Sequence, residues 1–364
     1  MVFENSKTWP PLPREEVIKA VERKKPSRIP LVFAKWWGEG LVDQYGDRLK
    51  EFDRYPEDTA RIFISPVDIG AMGLSWEIKR GAAHDSNCVI DDWAKLDEFI
   101  EKLPDPETDP QFDAAIQQAQ EIRRQGSYML FGWWNLFFER PWTLRGMETL
   151  LADYHLEPEN VHRLHSALCD QYCRYLRRAI RDIRPDGFWT SDDLGHQTQL
   201  MMRPETFREL IKPYYARVGA VCKEAGVHFW LHSCGENTPI LGDLADAGVN
   251  VFHPVQKGVM DDVAVAREYG DRMTFLVGFD VQHILQEADP AGVRKEVRFL
   301  VDTFDRPEGG MCIAAGNGIV RGTPFENIAA FLDEAVSYGV EHRGRFAKAA
   351  GNNSGFGSSS FRTK

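Results

Sequence analysis

An imidazole and a thiol lie two residues apart in the segment VHFWLHSCG, which spans residues 227–235. Because side chains alternate along a strand, His232 and Cys234 are predicted to point to the same side. A neutral imidazole and a thiolate are ligands that zinc favours, and ligands of α/β folds bind at the carboxyl ends of strands. The pair predicts a metal site. The alternative is a histidine satisfied by hydrogen bonds beside a cysteine packed as a small hydrophobe.

Polar side chains also follow other apolar runs of the sequence. Where parallel strands end together, carboxylates and imidazoles can bind a cation or carry protons. On this ground, the residues predicted to be catalytic are Asp192, Asp193, His196 and His253. The residues predicted to contact substrate are Gln256, Asp280, Gln282 and Asn317. The alternative for each is a structural role, such as capping the helix or turn that follows.

A third thiol ligand is not expected. Cys312 lies at the start of the last apolar run, and at about 3.3 Å per residue it would sit well below the end of that strand, so we expect it in the core. Asn317, His253, Asp193 or solvent could complete the metal shell instead. A shell completed by solvent is open, which is typical of catalytic zinc.

Short runs rich in β-branched and aromatic residues alternate with longer helical patterns. This alternation predicts parallel strands joined by right-handed helical crossovers, and eight such units form a (β/α)₈ TIM barrel. The predicted strands are residues 28–33, 61–67, 128–134, 187–191, 228–232, 249–255, 273–278 and 311–315. Helices that carry a proline near their start are predicted at residues 158–183, 204–225 and 324–338.

The domain organisation is predicted to be simple. Residues 1–345 form the barrel as a single domain, and residues 76–90 form a polar hairpin that leaves it near its mouth. Residues 346–364 are rich in Gly, Ser and Asn, offer little apolar surface and are predicted to be a flexible tail.

Composition excludes several classes of protein. The net charge of −11 argues against a general nucleic-acid binder, which needs basic surface. No apolar stretch approaches the length of a membrane span, and the first residues lack the pattern of a signal peptide. The 6 cysteines have no framework spacing, which is typical of a reducing compartment. We therefore expect a cytoplasmic protein.

Several segments resemble, in the same order, the uroporphyrinogen decarboxylase superfamily, which includes corrinoid-dependent methyltransferases. They are FFERPWTLRGMETLLADYHLEPENVHRL (137–164), SDDLGHQTQLMMRPETFRELIKPYYARV (191–218), HSCGENTPILGDLADAGVNVFHPVQ (232–256), YGDRMTFLVGFDVQHIL (269–285) and GTPFENIAAFLDEAVSYG (322–339). The resemblance implies the barrel fold. It also implies that His232 and Cys234 match the HxCG motif, which supplies two zinc ligands in the methyltransferases, with a second cysteine near the end of the last strand.

The chain departs from both branches of this superfamily. Asn317 stands between two glycines where the methyltransferases commonly have the second cysteine, and Cys312 comes five residues earlier. The arginine-rich loop of the decarboxylases would fall at residues 33–40, which read FAKWWGEG here. A substrate with many carboxylates needs several guanidinium groups. An aromatic pocket for a smaller, less charged substrate is predicted instead, lined by Trp36, Trp37, Glu39 and Trp134. The alternative for these tryptophans is packing within the barrel.

The resemblance implies a methyltransferase that moves a methyl group between a small methylated substrate, such as a methyl ether, amine or thiol, and a corrinoid. The expected cofactors are zinc in the chain and a corrinoid (cobalamin) on a partner protein, and a homodimer is a further expected assembly. One alternative is a decarboxylase that acts on a less carboxylated acid. A second is a non-catalytic barrel that binds a ligand.

Overall fold

The computed structural model describes residues 7–74, 77–78 and 85–353. These residues divide into two compact units. The central unit runs from Thr59 to Met273, and the terminal unit combines the residues up to Asp58 with those from Thr274 onward. No helix among the described residues is both long and apolar enough to cross a membrane.

The strands of the central unit are β1 Thr59–Phe63, β2 Glu77–Ile78, β3 Asp85–Asn87, β4 Tyr128–Trp133, β5 Gly187–Ser191, β6 His228–His232 and β7 Val251–His253. The parallel strands pair in chain order, β1-β4-β5-β6-β7. A short antiparallel pair, β2 and β3, falls within the predicted hairpin at 76–90, and the residues between its strands lie outside the described ranges.

The terminal unit contains two parallel strands, β8 Thr274–Phe279 and β9 Met311–Ala315. Leu31 forms an isolated parallel bridge to Ile313 of β9. The backbone N–H of Asp58 donates to the carbonyl of Leu31 at 2.9 Å, so the segment around Leu31 is bonded on both sides.

Helices alternate with these strands in both units, which confirms the predicted α/β barrel class. Short 3₁₀ helices lie at Gly46–Arg54, Trp93–Lys95 and Thr238–Ile240. The α-helices are α1 Arg14–Val21, α2 Leu41–Tyr45, α3 Leu96–Glu101, α4 Gln111–Gln125, α5 Glu139–Arg145, α6 Met147–Leu156, α7 Pro158–Asp182, α8 Pro204–Leu210, α9 Lys212–Ala225, α10 Leu241–Asp246, α11 Asp262–Tyr269, α12 Ile284–Glu287, α13 Pro290–Phe304 and α14 Phe325–Asn353.

Prolines explain some of the places where the predicted strands and helices end early. The strand predicted at 28–33 is reduced to the Leu31 bridge, because Pro30 lacks an N–H and Phe33 has a left-handed φ of 56°. β1 stops at Phe63, and beyond it the Gln111 side chain binds both the N–H and the carbonyl of Ser65, at 2.9 and 3.0 Å. The helix predicted at 204–225 is divided at Ile211, because Pro213 cannot donate into a continuous ladder.

The last helix is longer than predicted. α14 continues to Asn353, so the boundary drawn at residue 345 falls inside it, while residues 354–364 lie outside the described ranges. The Phe346 ring packs edge-on against His342 with ring centroids 4.8 Å apart. This contact continues the packed face of the helix past the predicted boundary.

The core of the central unit is aromatic and tightly packed. Trp133, Trp189 and Trp230 are almost fully buried in β4, β5 and β6. Gly132 allows β4 to approach β5, because a Cβ atom at this position would lie 1.9 Å from the carbonyl oxygen of Trp189. This packing fixes the ends of the strands that carry the candidate site.

Candidate functional site

Three polar residues end adjacent strands of the central unit. Ser191 pairs with His232 across β5 and β6, and His232 pairs with His253 across β6 and β7. The strands are parallel, so all three side chains lie at their carboxyl ends, where barrel enzymes place their chemistry. The register brings together residues that are far apart along the chain.

A nitrogen, a sulfur and an oxygen converge beside β6. His232 Nε2 lies 3.3 Å from Cys234 Sγ and 3.6 Å from Asp193 Oδ1. The three ligand atoms all lie within 4.8 Å of one another. His232 is buried, whereas the Asp193 side chain is 43% exposed. This arrangement, which we call the His-Cys-Asp cluster, can hold a metal ion with one side towards solvent.

Two glycines bring the loops after β5 and β6 into contact. Gly235 has a φ of 86°, and a Cβ atom there would lie 2.2 Å from the carbonyl carbon of Gly195. A larger residue would push these loops, and with them Asp193 and Cys234, apart. Glycine at this position is therefore a geometric requirement of the cluster.

Asn237 and Asp193 hold the turn after β6. Asn237 Nδ2 donates to the carbonyls of Ser233, Cys234 and Gly235 at 3.1, 2.9 and 3.0 Å. The backbone N–H of Cys234 donates to Asp193 Oδ1 at 2.8 Å. The thiol is thus presented by a turn that side chains fix on both sides.

His232 and His253 form a buried imidazole pair. Their Nδ1 atoms are 2.7 Å apart, and the ring of Trp189 packs against both. Burial lowers the pKa of His232, although the negative charge of Asp193 acts in the opposite direction. Burial thus favours the neutral imidazole, the form in which histidine binds a metal.

Asp192 is anchored inside the protein. Its carboxylate accepts hydrogen bonds from the backbone N–H groups of Phe137, Phe138 and Glu139 and from the hydroxyl of Tyr215, at 2.7–3.0 Å. Burial raises the pKa of Asp192 to about 6, against these hydrogen bonds, which lower it. These contacts hold the start of α5, and the predicted catalytic role of Asp192 stays a prediction.

Glu139 is a candidate that the sequence analysis missed. Its carboxylate accepts hydrogen bonds from Ser191 Oγ at 2.6 Å and from the backbone N–H of Asp193. Burial, followed by the negative charges of Asp193 and Asp192, raises the pKa of Glu139 to about 8. An acidic residue directly after the apolar run LFF (136–138) was the available signal.

Trp134 lies beside the cluster, and its predicted role towards substrate stays a prediction. The residue is 38% exposed, and its ring packs edge-on against His232 with centroids 6.3 Å apart. It also makes a tilted contact with Phe63 at 5.9 Å. Its neighbour Trp133 is buried and packs on Phe188 at 4.5 Å. The two adjacent tryptophans therefore differ in position, since Trp134 lies beside His232 and Trp133 lies in the core.

His196 and Gln256 have supporting positions. The His196 side chain is exposed, and its carbonyl accepts the N–H of Glu236 at 2.8 Å. Gln256 Oε1 accepts the N–H of Gly235 at 2.7 Å. Both residues thus hold the loop that carries Cys234, and their predicted roles towards substrate stay predictions.

Comparison with known proteins assigns the family. The model of the family described as uroporphyrinogen decarboxylase (URO-D) matches residues 48–338. The chain belongs to the uroporphyrinogen decarboxylase family. This is the family that the sequence motifs predicted, and it is a family of enzymes.

The matched relatives of this family member are named either as a decarboxylase or as a methyltransferase. A "Uroporphyrinogen decarboxylase" of Photobacterium profundum is 24% identical over 304 residues, 78% of this chain and 80% of the relative. A "Methylcobamide:CoM methyltransferase MtaA" of Methanosarcina barkeri is 28% identical over 139 residues, 38% of each chain. A solved "methyltransferase from Methanosarcina mazei" has a TM-score of 0.65 at 15% identity and covers 88% of this chain and 97% of its own. The last match supports the barrel fold.

The remaining predicted site residues belong to the terminal unit of this family member. Trp36 packs near Phe33 and Trp37 near Phe52, with ring centroids 5.9 and 5.8 Å apart. Glu39 lines a pocket of about 500 Å³ together with Arg321. Their roles towards substrate stay predictions.

Local hydrogen bonds occupy the polar residues at the ends of β8 and β9. Asp280 accepts the backbone N–H groups of Gln282, His283 and Ile284 at 2.8, 3.1 and 3.3 Å, which is the capping role weighed as the alternative. Asn317 Oδ1 accepts the N–H of Gly318 at 2.7 Å. Cys312 is fully buried in β9, as predicted for a core residue, and burial raises the pKa of its thiol well above the ordinary value.

Proposed function

We propose that this protein is a methyltransferase that moves a methyl group between a small methylated molecule and a corrinoid on a partner protein, with zinc held by His232, Cys234 and Asp193. The observation that carries the proposal is the convergence of the three donor atoms at the carboxyl end of β6. The methyltransferases among the matched proteins support the choice of reaction.

The donor set fits zinc. Bond lengths of about 2.0–2.3 Å around a tetrahedral ion separate its ligand atoms by about 3.3–3.8 Å. The distances from His232 Nε2 to Cys234 Sγ and to Asp193 Oδ1, 3.3 and 3.6 Å, lie in this range. A thiolate and a carboxylate would balance the two positive charges of the ion. Asp193 takes the place of the second cysteine that the family resemblance implied.

Different side chains around the cluster would bind the substrate and supply a proton to the leaving group. When bound, zinc would act as a Lewis acid for the oxygen or sulfur of the substrate. The exposed face of Trp134 offers an apolar wall for a methyl group. Glu139, whose pKa is raised to about 8, holds a proton at neutral pH and can donate it to a leaving group.

The loop at residues 33–40 favours a substrate with few carboxylates. Its one cationic side chain, Lys35, donates a hydrogen bond from Nζ to the carbonyl of Tyr55 at 2.9 Å. A porphyrinogen with many carboxylates needs several fixed cations, which this loop does not supply.

A decarboxylase is the second candidate. The decarboxylase relative matches more of the chain than the methyltransferase relative does. The buried Asp192 and the half-buried Glu139 are also carboxyl groups whose pKa values are raised. In that case, the purified chain would release carbon dioxide from a small acid without any corrinoid.

The decisive experiment measures metal content and methyl transfer together. The purified chain is expected to contain about one zinc ion and to methylate free cob(I)alamin from a methyl ether, a methylamine or a methylated thiol, followed by visible absorbance. Cys234→Ser should lose both properties. Cys88→Ser, which changes a half-buried cysteine outside the cluster, is the matched control and should keep both. Turnover by a metal-free protein, or carbon dioxide release alone, would reject the proposal, and ligand binding without turnover would indicate a non-catalytic barrel.

A further inference from the structure

The buried pair of His232 and His253 restricts how His232 can bind a metal. The two Nδ1 atoms are 2.7 Å apart, which is a hydrogen-bond distance between ring nitrogens. A hydrogen bond between two neutral imidazole nitrogens needs a proton on one of them and a lone pair on the other. The pair therefore has two possible arrangements, and they differ in what they leave on the opposite nitrogen of His232.

Only one arrangement leaves His232 able to bind a metal at the cluster. A neutral imidazole carries one proton, so His232 must hold it on Nδ1 if Nε2 is to present a lone pair. Nε2 is the nitrogen that lies 3.3 Å from Cys234 Sγ and 3.6 Å from Asp193 Oδ1. His253 must then accept at its Nδ1.

The strand register and the packing keep His253 in this position. His253 ends β7 as the register partner of His232, and its carbonyl accepts the N–H of Ser233 at 2.7 Å. The side chain is fully buried, and the ring of Trp189 lies 6.0 Å from it and 6.2 Å from His232. The His253 ring is attached to a strand and packs against Trp189, so it has little freedom to rotate. Its hydrogen bond to His232 is therefore preorganised.

We propose that His253 is a positioning residue that accepts the Nδ1 proton of His232 and so fixes the tautomer and ring orientation in which His232 Nε2 faces the metal. This inference rests on the proposed metal site, and it replaces the catalytic role predicted for His253 from the sequence. The hydrogen bond to the second nitrogen of a metal-bound histidine fixes the ring and raises its basicity. An imidazole in that place is neutral, so it adds no negative charge beside the cluster.

Two substitutions separate this role from simple packing. In His253→Asn, the amide oxygen can take nearly the place of Nδ1 and accept the same proton, whereas His253→Leu fills space without an acceptor. We expect zinc affinity, measured by competition with a chromophoric chelator, to fall about 10–100-fold in His253→Leu and to be largely retained in His253→Asn. Thermal unfolding in excess chelator checks that each variant is folded.

A spectroscopic readout tests the tautomer directly in the wild-type chain. In protein labelled with ¹⁵N-histidine and loaded with zinc, we expect His232 to carry its proton on Nδ1. We also expect a scalar coupling across the hydrogen bond between this Nδ1 and the unprotonated Nδ1 of His253. Equal zinc affinities of wild type, His253→Leu and His253→Asn would overturn the inference while leaving the metal site intact. A proton on His253 Nδ1 in the zinc-loaded chain would overturn the inference and would also remove His232 Nε2 from the ligand set. A wild-type chain that binds no zinc would overturn the proposed function as well. If His253→Leu does not fold, the spectrum and His253→Asn decide.

Discussion

Asp193 Oδ1 lies 2.8 Å from the backbone nitrogen of Cys234 and 3.6 Å from Nε2 of His232. One carboxylate oxygen thus positions the thiol loop and also faces the metal cluster. These two roles can be separated by substitution.

Asp193→Asn can keep the hydrogen bond to Cys234 but offers a neutral and weaker metal ligand. We expect zinc affinity to fall in Asp193→Asn and to fall further in Asp193→Ala, which loses the ligand and the hydrogen bond. Chelator competition measures both, and thermal unfolding of the metal-free variants serves as the control. Wild-type zinc affinity in Asp193→Ala would remove this residue from the ligand set.

The raised pKa of Glu139 predicts that the stability of the fold depends on pH. Its folded pKa is raised to about 8 from 4.5, so between these values the folded chain keeps a proton that the unfolded chain has lost. The free energy of unfolding therefore falls as pH rises through this window. Glu139→Gln keeps an acceptor for Ser191 without the charge. Between pH 5 and pH 8, we expect the free energy of unfolding of wild type to fall by more than about 1 kcal/mol relative to that of Glu139→Gln. Urea unfolding of both metal-free proteins at the two pH values measures this difference, and a constant difference would contradict the prediction.

Asp192 is expected to matter chiefly for the stability of the start of α5. Asp192→Asn places an amide donor against backbone N–H groups, and we expect it to lower the free energy of unfolding by about 1–3 kcal/mol. Tyr215→Phe removes one hydrogen bond from the same carboxylate and should cost about 1 kcal/mol. Denaturant unfolding measures both. An Asp192→Asn variant of wild-type stability that had lost only turnover would support the catalytic role predicted from the sequence.

Cys312 is expected to leave the metal untouched. It is fully buried in β9, so Cys312→Ala should cost about 1 kcal/mol of stability through lost packing and keep the zinc content of the wild type. Elemental analysis beside Cys234→Ser checks this. Loss of zinc in Cys312→Ala would show that this cysteine is a ligand after all.

Local patterns were sufficient for the parts of the site that lie close together in sequence. The strand period of two predicted that His232 and Cys234 face the same side, and their side chains lie 3.3 Å apart, although β6 ends at His232 and Cys234 lies in the turn that follows. The alternation of apolar runs and helices predicted the barrel class for the same reason, since both depend on spacing within short segments. Prolines moved some boundaries, as at the Leu31 bridge after Pro30 and at Ile211 before Pro213.

Contacts between segments that are far apart in sequence could not be predicted from such local patterns. Asp192 and Asp193 are adjacent and equally acidic in the sequence, yet one accepts hydrogen bonds from the amides before α5 and the other joins the cluster. Glu139 reaches Ser191 across 52 positions. Such pairings depend on strand register and on loops that two glycines allow to touch, and these are properties of the packed chain. The sequence alone therefore determined the fold class and the His-Cys pair, whereas the tertiary structure decided which carboxylate completes that pair and which histidine lies behind it.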